Sequence, residues 1–395
     1  MKPVLRAPWI TLHRWLGLVA IPFLLIAALT GSVLCFVRPI DAWLNADLFD
    51  QRALAAAAAA PAVAPLMDRF AARHPEWTVT GFPLAVPADR RIPVNVASGR
   101  DAAGRPVDQL FLDRTTARIA GSRSTEAAFD RHGFAEWLIE FHSKLLLGDP
   151  GRWFMGTIAV LWLIGHAIGF YLTFPLKRPF WKGWKRAWKA SFGSVLAKFM
   201  LDWHKASALW LFVPLTALAL TSVGLNFFAE GYGPLVEAVT AQEPEDGKPG
   251  PPQAAPLGFV QAVSAAEAQA RRSGIGWHPA TILADPKAGT LGVTMTDDGL
   301  LNYHRLGPIY YYFDRRSHVL LETLDPYHGN GRLAGYRLLY PLHSGRVGGN
   351  LTILLAFASG LATAGLCVTG LYVWWKKRRS RVAQRQAARR KAMAP

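Results

Sequence analysis

The sequence has few of the motifs that bind metals or nucleotides. It contains only two cysteines among 395 residues, too few for the disulfide framework of a small secreted protein. It has no C-x-x-C or H-E-x-x-H motif, which argues against a zinc or di-iron site. It also has neither a G-x-G-x-x-G fingerprint nor a Walker loop, so a nucleotide cofactor is not expected in either of its usual settings.

Charged residues are missing from four long stretches, which are Leu16–Val37, Trp153–Leu176, Ala206–Ala229 and Val347–Trp375. Each has at least the roughly 20 residues that cross about 30 Å of hydrocarbon at about 1.5 Å per residue. Apolar residues make up 51% of the chain. The sequence therefore predicts a mainly α membrane protein with four transmembrane helices, and it excludes a soluble enzyme.

Acidic residues are scarce, with 27 Asp and Glu against 44 Lys and Arg. Twenty of the basic residues fall in segments 1–14, 175–205 and 376–395, which together contain one acidic residue, Asp202. The positive-inside rule places these segments in the cytoplasm and predicts a multi-pass membrane protein with both termini cytoplasmic. Topology accounts for the charge, so no nucleic-acid partner is expected. Segment 182–189 is expected to lie on anionic membrane lipid.

The chain repeats itself. At an offset of 191, His13 aligns with His204 and Thr30 with Thr221, while at an offset of 201 His142 aligns with His343. Each copy reads as a span, an outside domain and a second span. Each outside domain is predicted to be α+β, with a helix such as Phe259–Arg272. The sequence leaves open whether these domains bind a ligand or only cover the helix ends.

These patterns predict the following order along the chain: a cytoplasmic N-terminus and first span (1–37), a first periplasmic domain (38–145), a second span (146–176), a basic cytoplasmic loop (177–198), a third span (199–229), a second periplasmic domain (230–342), a fourth span (343–375) and a basic cytoplasmic tail (376–395).

Five of the 11 histidines lie in or beside the predicted spans: His13, His142, His166, His204 and His343. Ionisable groups at this depth are rare and are functional candidates by default. His13 and His204, the first pair, open the two spans that start in the cytoplasm. His142 and His343, the second pair, precede the two spans that start outside. One pair is therefore expected near each face of the membrane.

Two such pairs are what two stacked b-type haems require, because each haem takes one imidazole from each side of its ring. The residues thus predict two haem b groups per chain, with the second pair holding the outer haem and the first pair the inner haem. The alternative is that these histidines only anchor helix ends at the interface, as Trp and Tyr do. Two symmetric pairs at opposite faces favour haem.

His166 breaks the symmetry, because its repeat equivalent is Cys367. It is expected in the middle or inner half of its span. Three roles are open: it replaces His13 or His204 as a ligand of the inner haem, it lies between the haems, or it forms a hydrogen bond within the bundle.

The histidine motifs resemble those of the PepSY-associated transmembrane helix family, which includes inner-membrane ferric-siderophore reductases of Gram-negative bacteria. The resemblance covers essentially the whole chain, and its outside domains are loosely PepSY-like. It is carried by Leu12-His13-Arg14-Trp15-Leu16-Gly17-Leu18, Phe141-His142-Ser143-Lys144-Leu145 with Gly148 and Gly151, Trp203-His204-Lys205, and Leu342-His343-Ser344-Gly345.

The resemblance implies a di-haem b oxidoreductase that passes electrons to a ferric siderophore in the periplasm and so releases Fe(II) for iron uptake. No flavin or nicotinamide site is visible, so a separate electron donor is expected, either quinol or a cytoplasmic flavoprotein. Two alternatives remain. One is a di-haem quinone-linked cytochrome with a substrate other than iron, and the other is a haem-free transport or regulatory membrane protein.

Overall fold

The computed structural model describes residues 6–51, 62–101, 103–241, 247–300, 304–329 and 331–392. The chain divides into two compact units. The membrane unit comprises the described residues of 1–36, 139–232 and 342–395, and the sheet unit those of 37–138 and 233–341.

The helices and strands of the described residues have the following bounds. The helices are α1 (Ala7–Leu34), α2 (Val37–Leu44), α3 (Ala46–Phe49), α4 (Val63–Arg73), α5 (Phe134–Lys144), α6 (Gly148–Leu172), α7 (Phe180–Trp184), α8 (Leu196–Trp210), α9 (Phe212–Asn226), α10 (Gly233–Val239), α11 (Phe259–Arg272), α12 (Gly331–Ser344) and α13 (Asn350–Ala392), with a π-helical turn at Phe228–Tyr232 and a 3-10 turn at Arg346–Gly348. The strands are β1 (Val79–Pro83), β2 (Ile92–Arg100), β3 (Pro106–Leu112), β4 (Ile119–Arg123), β5 (His278–Asp285), β6 (Thr290–Thr296), β7 (Ile309–Asp314) and β8 (Leu320–Leu324).

The membrane unit contains three helices that are long and apolar enough to cross a bilayer, α1, α6 and α13, within the described residues. They match the first, second and fourth predicted spans. α1 packs against both α6 and α13, α6 packs against α9, and α13 packs against α8. These helices and their hydropathy identify a membrane protein.

The predicted third span is not one straight helix. It consists of α8 and α9, which meet at Leu211 with a bend of 74°. Pro214 lies in the first turn of α9 and has no backbone N–H to donate, and its ring would clash with the carbonyl of Trp210 in a continuous helix. The apolar run that predicted this span does not reveal the break, because the hydropathy of the segment is the same for a straight helix and a bent one.

Two further breaks separate the short helices α5 and α12 from the long helices that follow them. Leu145 and Leu146 adopt positive φ angles of 53° and 60° between α5 and α6. Gly345 and Gly349, with φ of 74° and 73°, flank the turn between α12 and α13. His142 and His343 therefore lie on short helices of their own, each near its C-terminal end.

The two segments that are expected to form outside domains both contribute to the sheet unit. Its eight strands form one antiparallel sheet in the order β4-β3-β2-β1-β5-β6-β7-β8. The two halves join where β1 pairs with β5, with Phe82 opposite Ile282. The two outside segments thus share one sheet, and their order is symmetric about this central pair of strands.

Buried residues in the sheet unit recur with the period expected of each strand or helix. On β7, Ile309, Tyr311 and Phe313 are buried and alternate with partly exposed residues, as in a strand with one face covered. On α11, the buried Ala262, Ala266 and Ala270 recur every four residues, and this helix packs against α4 and the sheet. Side chains from both halves fill this single core.

Candidate functional site

The first histidine pair meets inside the membrane unit. His13 on α1 and His204 on α8 have ring centres 6.4 Å apart, with an angle of 76° between the ring planes. Glycines leave room for both rings: a methyl group at Gly169 would lie 3.0 Å from Cε1 of His13, and one at Gly370 would lie 3.3 Å from Cε1 of His204. These glycines are repeat equivalents, so in both copies a glycine allows a helix backbone to lie close to a histidine ring of the first pair.

Each ring of the first pair is fixed by a hydrogen bond at Nδ1. His13 Nδ1 lies 2.9 Å from the carbonyl oxygen of Gly165, which can only accept, so Nδ1 carries the proton. His204 Nδ1 lies 3.0 Å from Oγ1 of Thr369. The Thr369 hydroxyl gives its single proton to the carbonyl of Gly365 at 2.7 Å, so it accepts from His204. Both rings therefore keep the lone pair on Nε2.

The second pair is arranged in the same way. The rings of His142 on α5 and His343 on α12 have centres 6.2 Å apart at an angle of 54°. His142 Nδ1 lies 3.0 Å from Oγ1 of Thr30, and His343 Nδ1 lies 3.1 Å from Oγ1 of Thr221. These two hydroxyls each donate to a carbonyl of their own helix at 2.7 Å, so both histidines are donors at Nδ1 and keep the lone pair on Nε2.

The spacing of the rings fits two imidazoles that share one metal ion. Two imidazoles that bind one ion through opposed nitrogens, with metal–nitrogen bonds of about 2.0–2.1 Å, have ring centres roughly 6 Å apart. The observed separations are 6.4 Å and 6.2 Å. Histidines that ligate a metal almost always donate their other ring nitrogen to a fixed acceptor. All four rings have that acceptor, on the side away from Nε2.

His166 on α6 is held by the opposite nitrogen. Its Nε2 lies 3.1 Å from Oγ1 of Thr216, whose hydroxyl proton goes to the carbonyl of Phe212 at 2.7 Å. The His166 ring is stacked on Phe212, with centres 4.9 Å apart and an angle of 16°. The structure thus brings together the two predicted pairs and leaves His166 in a contact of a different kind.

A cavity of about 900 Å³ within the membrane unit is lined by His13, His166 and His204. Most of its lining is apolar. Among the described residues that line it there is no Asp or Glu but there are five cationic side chains: Arg6, Arg14, Lys205, Lys377 and Arg381. Arg14 Nε is buried without a hydrogen-bond partner. The cavity therefore suits a largely apolar ligand with anionic groups.

The family model of the PepSY-associated TM region matches residues 10–377. The chain belongs to this family. The match includes both histidine pairs and His166, and it confirms the family resemblance stated from the motifs. No curated protein matches this member of the PepSY-associated TM family.

Larger metal clusters are not found in this PepSY-associated TM protein: the part of the chain that the structure describes has no group of three or more His, Cys, Asp or Glu side chains placed to hold a metal ion. Cys35 and Cys367 are both free thiols. Among the described residues, each histidine pair therefore has no third His, Cys, Asp or Glu placed beside it to hold a metal ion.

The sequence did not assign a role to the threonines or the cations. The sequence could have pointed to Thr30 and Thr221, because they are repeat equivalents, each 17 residues after a histidine of the first pair. The repeat could not have pointed to Thr369, because its equivalent is Ile168, whose side chain cannot accept a hydrogen bond. His13 donates to the backbone carbonyl of Gly165 instead. From the sequence, Arg14 is recognised only as one of the basic residues that determine membrane topology.

Proposed function

We propose that this chain is a di-haem b oxidoreductase of a bacterial inner membrane, with four spans and both termini cytoplasmic. In this proposal α8 and α9 together form the third span. The protein takes electrons from quinol or a cytoplasmic flavoprotein and reduces a ferric siderophore in the periplasm, which releases Fe(II) for uptake.

The observation that carries this proposal is the geometry of the two histidine pairs. In each pair both rings are fixed at Nδ1 and keep the lone pair on Nε2, and the ring centres lie 6.4 Å and 6.2 Å apart. Two histidines alone would leave an iron ion short of ligands, and a bound haem would supply the remaining nitrogens. His142 and His343 are the proposed ligands of the outer haem and His13 and His204 those of the inner haem, while His166, the alternative inner ligand, is assigned no ligand role.

The lining of the cavity supports haem over a bare metal ion. Haem is a flat apolar ring with two carboxylates at one edge, which need cationic partners when they leave water. Arg14, with its unpartnered buried Nε, and Lys205 are suited to these carboxylates. When bound, haem supplies a one-electron Fe(III)/Fe(II) couple whose potential depends on its axial ligands and their hydrogen bonds.

The choice of a ferric chelate as acceptor rests on simple coordination chemistry. Hard oxygen donors of a siderophore prefer Fe(III) to Fe(II), so one electron converts a tight complex into one that releases its metal. Such a transfer needs close approach and no nucleophile or general base. The proposal therefore requires no catalytic triad.

Ferric siderophores are expected to reoxidise the reduced protein. The purified protein is reduced under anaerobic conditions, excess reductant is removed, and ferric siderophores are added while haem absorbance is followed and Fe(II) is trapped with a ferrous-specific chelator. The expected result is reoxidation with one Fe(II) trapped per electron. Reoxidation by oxygen or quinone alone would contradict a role in iron reduction and would favour the quinone-linked cytochrome.

A methyl group at Gly31 is expected to disturb the second pair. The added Cβ of Gly31→Ala would lie 2.9 Å from Cε1 of His142, closer than ordinary carbon contacts, so the ring must shift from its present position. Haem content should fall from two per chain towards one. Gly365→Ala is the control, because a Cβ there meets nothing within 4 Å. Equal haem content and unchanged low-spin spectra in both variants would count against the assignment.

A further inference from the structure

The two copies of the membrane unit differ at a group of four residues that we call the His166 cluster: His166, Phe212, Pro214 and Thr216. At the equivalent positions the other copy has Cys367, Ile21, Phe23 and Leu25. The histidine pairs need none of these residues, since both pairs are held by groups outside the cluster. The hydrogen bonds that fix the two pairs therefore do not account for the cluster.

The hydrogen bonds of the cluster define what it can recognise. Thr216 gives its proton to the carbonyl of Phe212, so it accepts from Nε2 of His166, and the lone pair of His166 remains on Nδ1. In this tautomer Nδ1 accepts a hydrogen bond and cannot donate one. A ligand that hydrogen-bonds to Nδ1 of His166 must therefore offer an N–H or O–H group.

The surroundings of His166 suit a flat aromatic ring. The imidazole is stacked on Phe212, and Phe212 contacts Phe170 with ring centres 4.3 Å apart. Phe170, Phe212 and Trp162 all line the cavity of about 900 Å³. That volume is at the upper end of the range of about 300–1,000 Å³ for small-molecule sites, and His166 lines it together with the first pair. The bend between α8 and α9 lies in this same wall, because Phe212 begins α9.

We propose that the His166 cluster binds the head group of a membrane quinol, whose hydroxyl donates a hydrogen bond to Nδ1 of His166. This inference rests on the proposed function and deepens it by naming the chemical class of the electron donor. Oxidation of one quinol to the quinone breaks two O–H bonds and releases two protons to the cytoplasmic side and two electrons, which reduce two Fe(III) chelates to Fe(II). A soluble flavoprotein would dock on an exposed surface, whereas this site lies in a cavity among the membrane helices.

The tautomer makes the site selective for the reduced form. A quinol hydroxyl can donate to Nδ1, while a quinone has only acceptor oxygens and would leave two acceptors facing each other. Decylubiquinol is therefore expected to bind about tenfold more tightly than decylubiquinone, the difference that one buried hydrogen bond makes. His166→Phe keeps the stacking on Phe212 and removes Nδ1, so it should abolish this preference. Thr216→Val removes the acceptor for Nε2 and should weaken it.

The experiment measures binding to the haem-loaded protein by calorimetry under anaerobic conditions, with quinol added to reduced protein and quinone to oxidised protein. Thr157→Val is the matched control, because Thr157 lies on the same helix, is exposed and bonds only its own helix. Haem content is measured in every variant. The inference predicts two haems per chain in every variant. His166→Phe should lose the preference for quinol, whereas Thr157→Val and the unaltered protein should keep it.

The failures are distinguishable. If the unaltered protein shows no preference for quinol, or if His166→Phe keeps it, the inference is wrong, while siderophore reduction by chemically reduced protein would still stand. If His166→Phe loses a haem, His166 is a ligand and the inference is again wrong. If the unaltered protein holds no haem, the proposed function itself fails.

Discussion

Alanine in place of His142 or His343 is expected to lower the haem content from two per chain to one. Each of these rings provides one Nε2 lone pair to the second site, and nothing on either short helix can replace it. Loss of one axial ligand leaves a site with a single protein bond to iron. The remaining haem should keep its low-spin spectrum, because the first pair lies on other helices, α1 and α8. Pyridine haemochrome assay and absorption spectra measure both quantities.

The same variants should lose delivery of electrons to a ferric siderophore, since the lost site is the one proposed at the outer face. His74→Ala is the control, because His74 is partly exposed and pairs with Glu76 in the sheet unit, away from both histidine pairs. Two haems with unchanged low-spin spectra in either His142→Ala or His343→Ala would show that the second pair is not a ligand pair.

The second large effect concerns the first pair. His13→Ala and His204→Ala should each remove the inner haem, and His166→Phe should retain both haems. The reason lies in the ring nitrogens: His13 and His204 are fixed at Nδ1 and present Nε2, whereas His166 is fixed at Nε2 by Thr216. Reduction of the outer haem by a donor on the cytoplasmic side should also stop in the first two variants.

Haem content per chain in the three variants decides between the assignments. Loss of a haem in His166→Phe together with two haems in His13→Ala would overturn the pairing and make His166 the inner ligand. Chemical reduction from the periplasmic side should still work in His13→Ala, which separates loss of the inner haem from general misfolding.

Local patterns predicted the elements well. The amphipathic period predicted a helix at Phe259–Arg272, and α11 has these bounds. The apolar runs located α1, α6 and α13, because length and hydropathy are properties of each segment alone. The two histidine pairs were found in the same way, since the repeat aligns residues that a symmetric bundle brings to equivalent places.

Features that depend on distant contacts were missed. The pairing of β1 with β5 joins segments about 200 residues apart, and neither strand carries a local sign of which edge it will meet. The proton positions on the rings depend on Thr30, Thr221 and Thr369, each far in sequence from the histidine it contacts. The bend at Leu211 had a signal in Pro214, but Pro22 lies within α1 without breaking it. Proline alone therefore does not decide such a break.

The haem content of the unaltered protein tests the central claim most directly. The full chain is purified from haem-sufficient cells, and haem is measured by pyridine haemochrome assay against protein concentration from amino-acid analysis. The two histidine pairs predict two haem b groups per chain, both low-spin, with a sharp α band on reduction. One haem or fewer per chain would contradict the account.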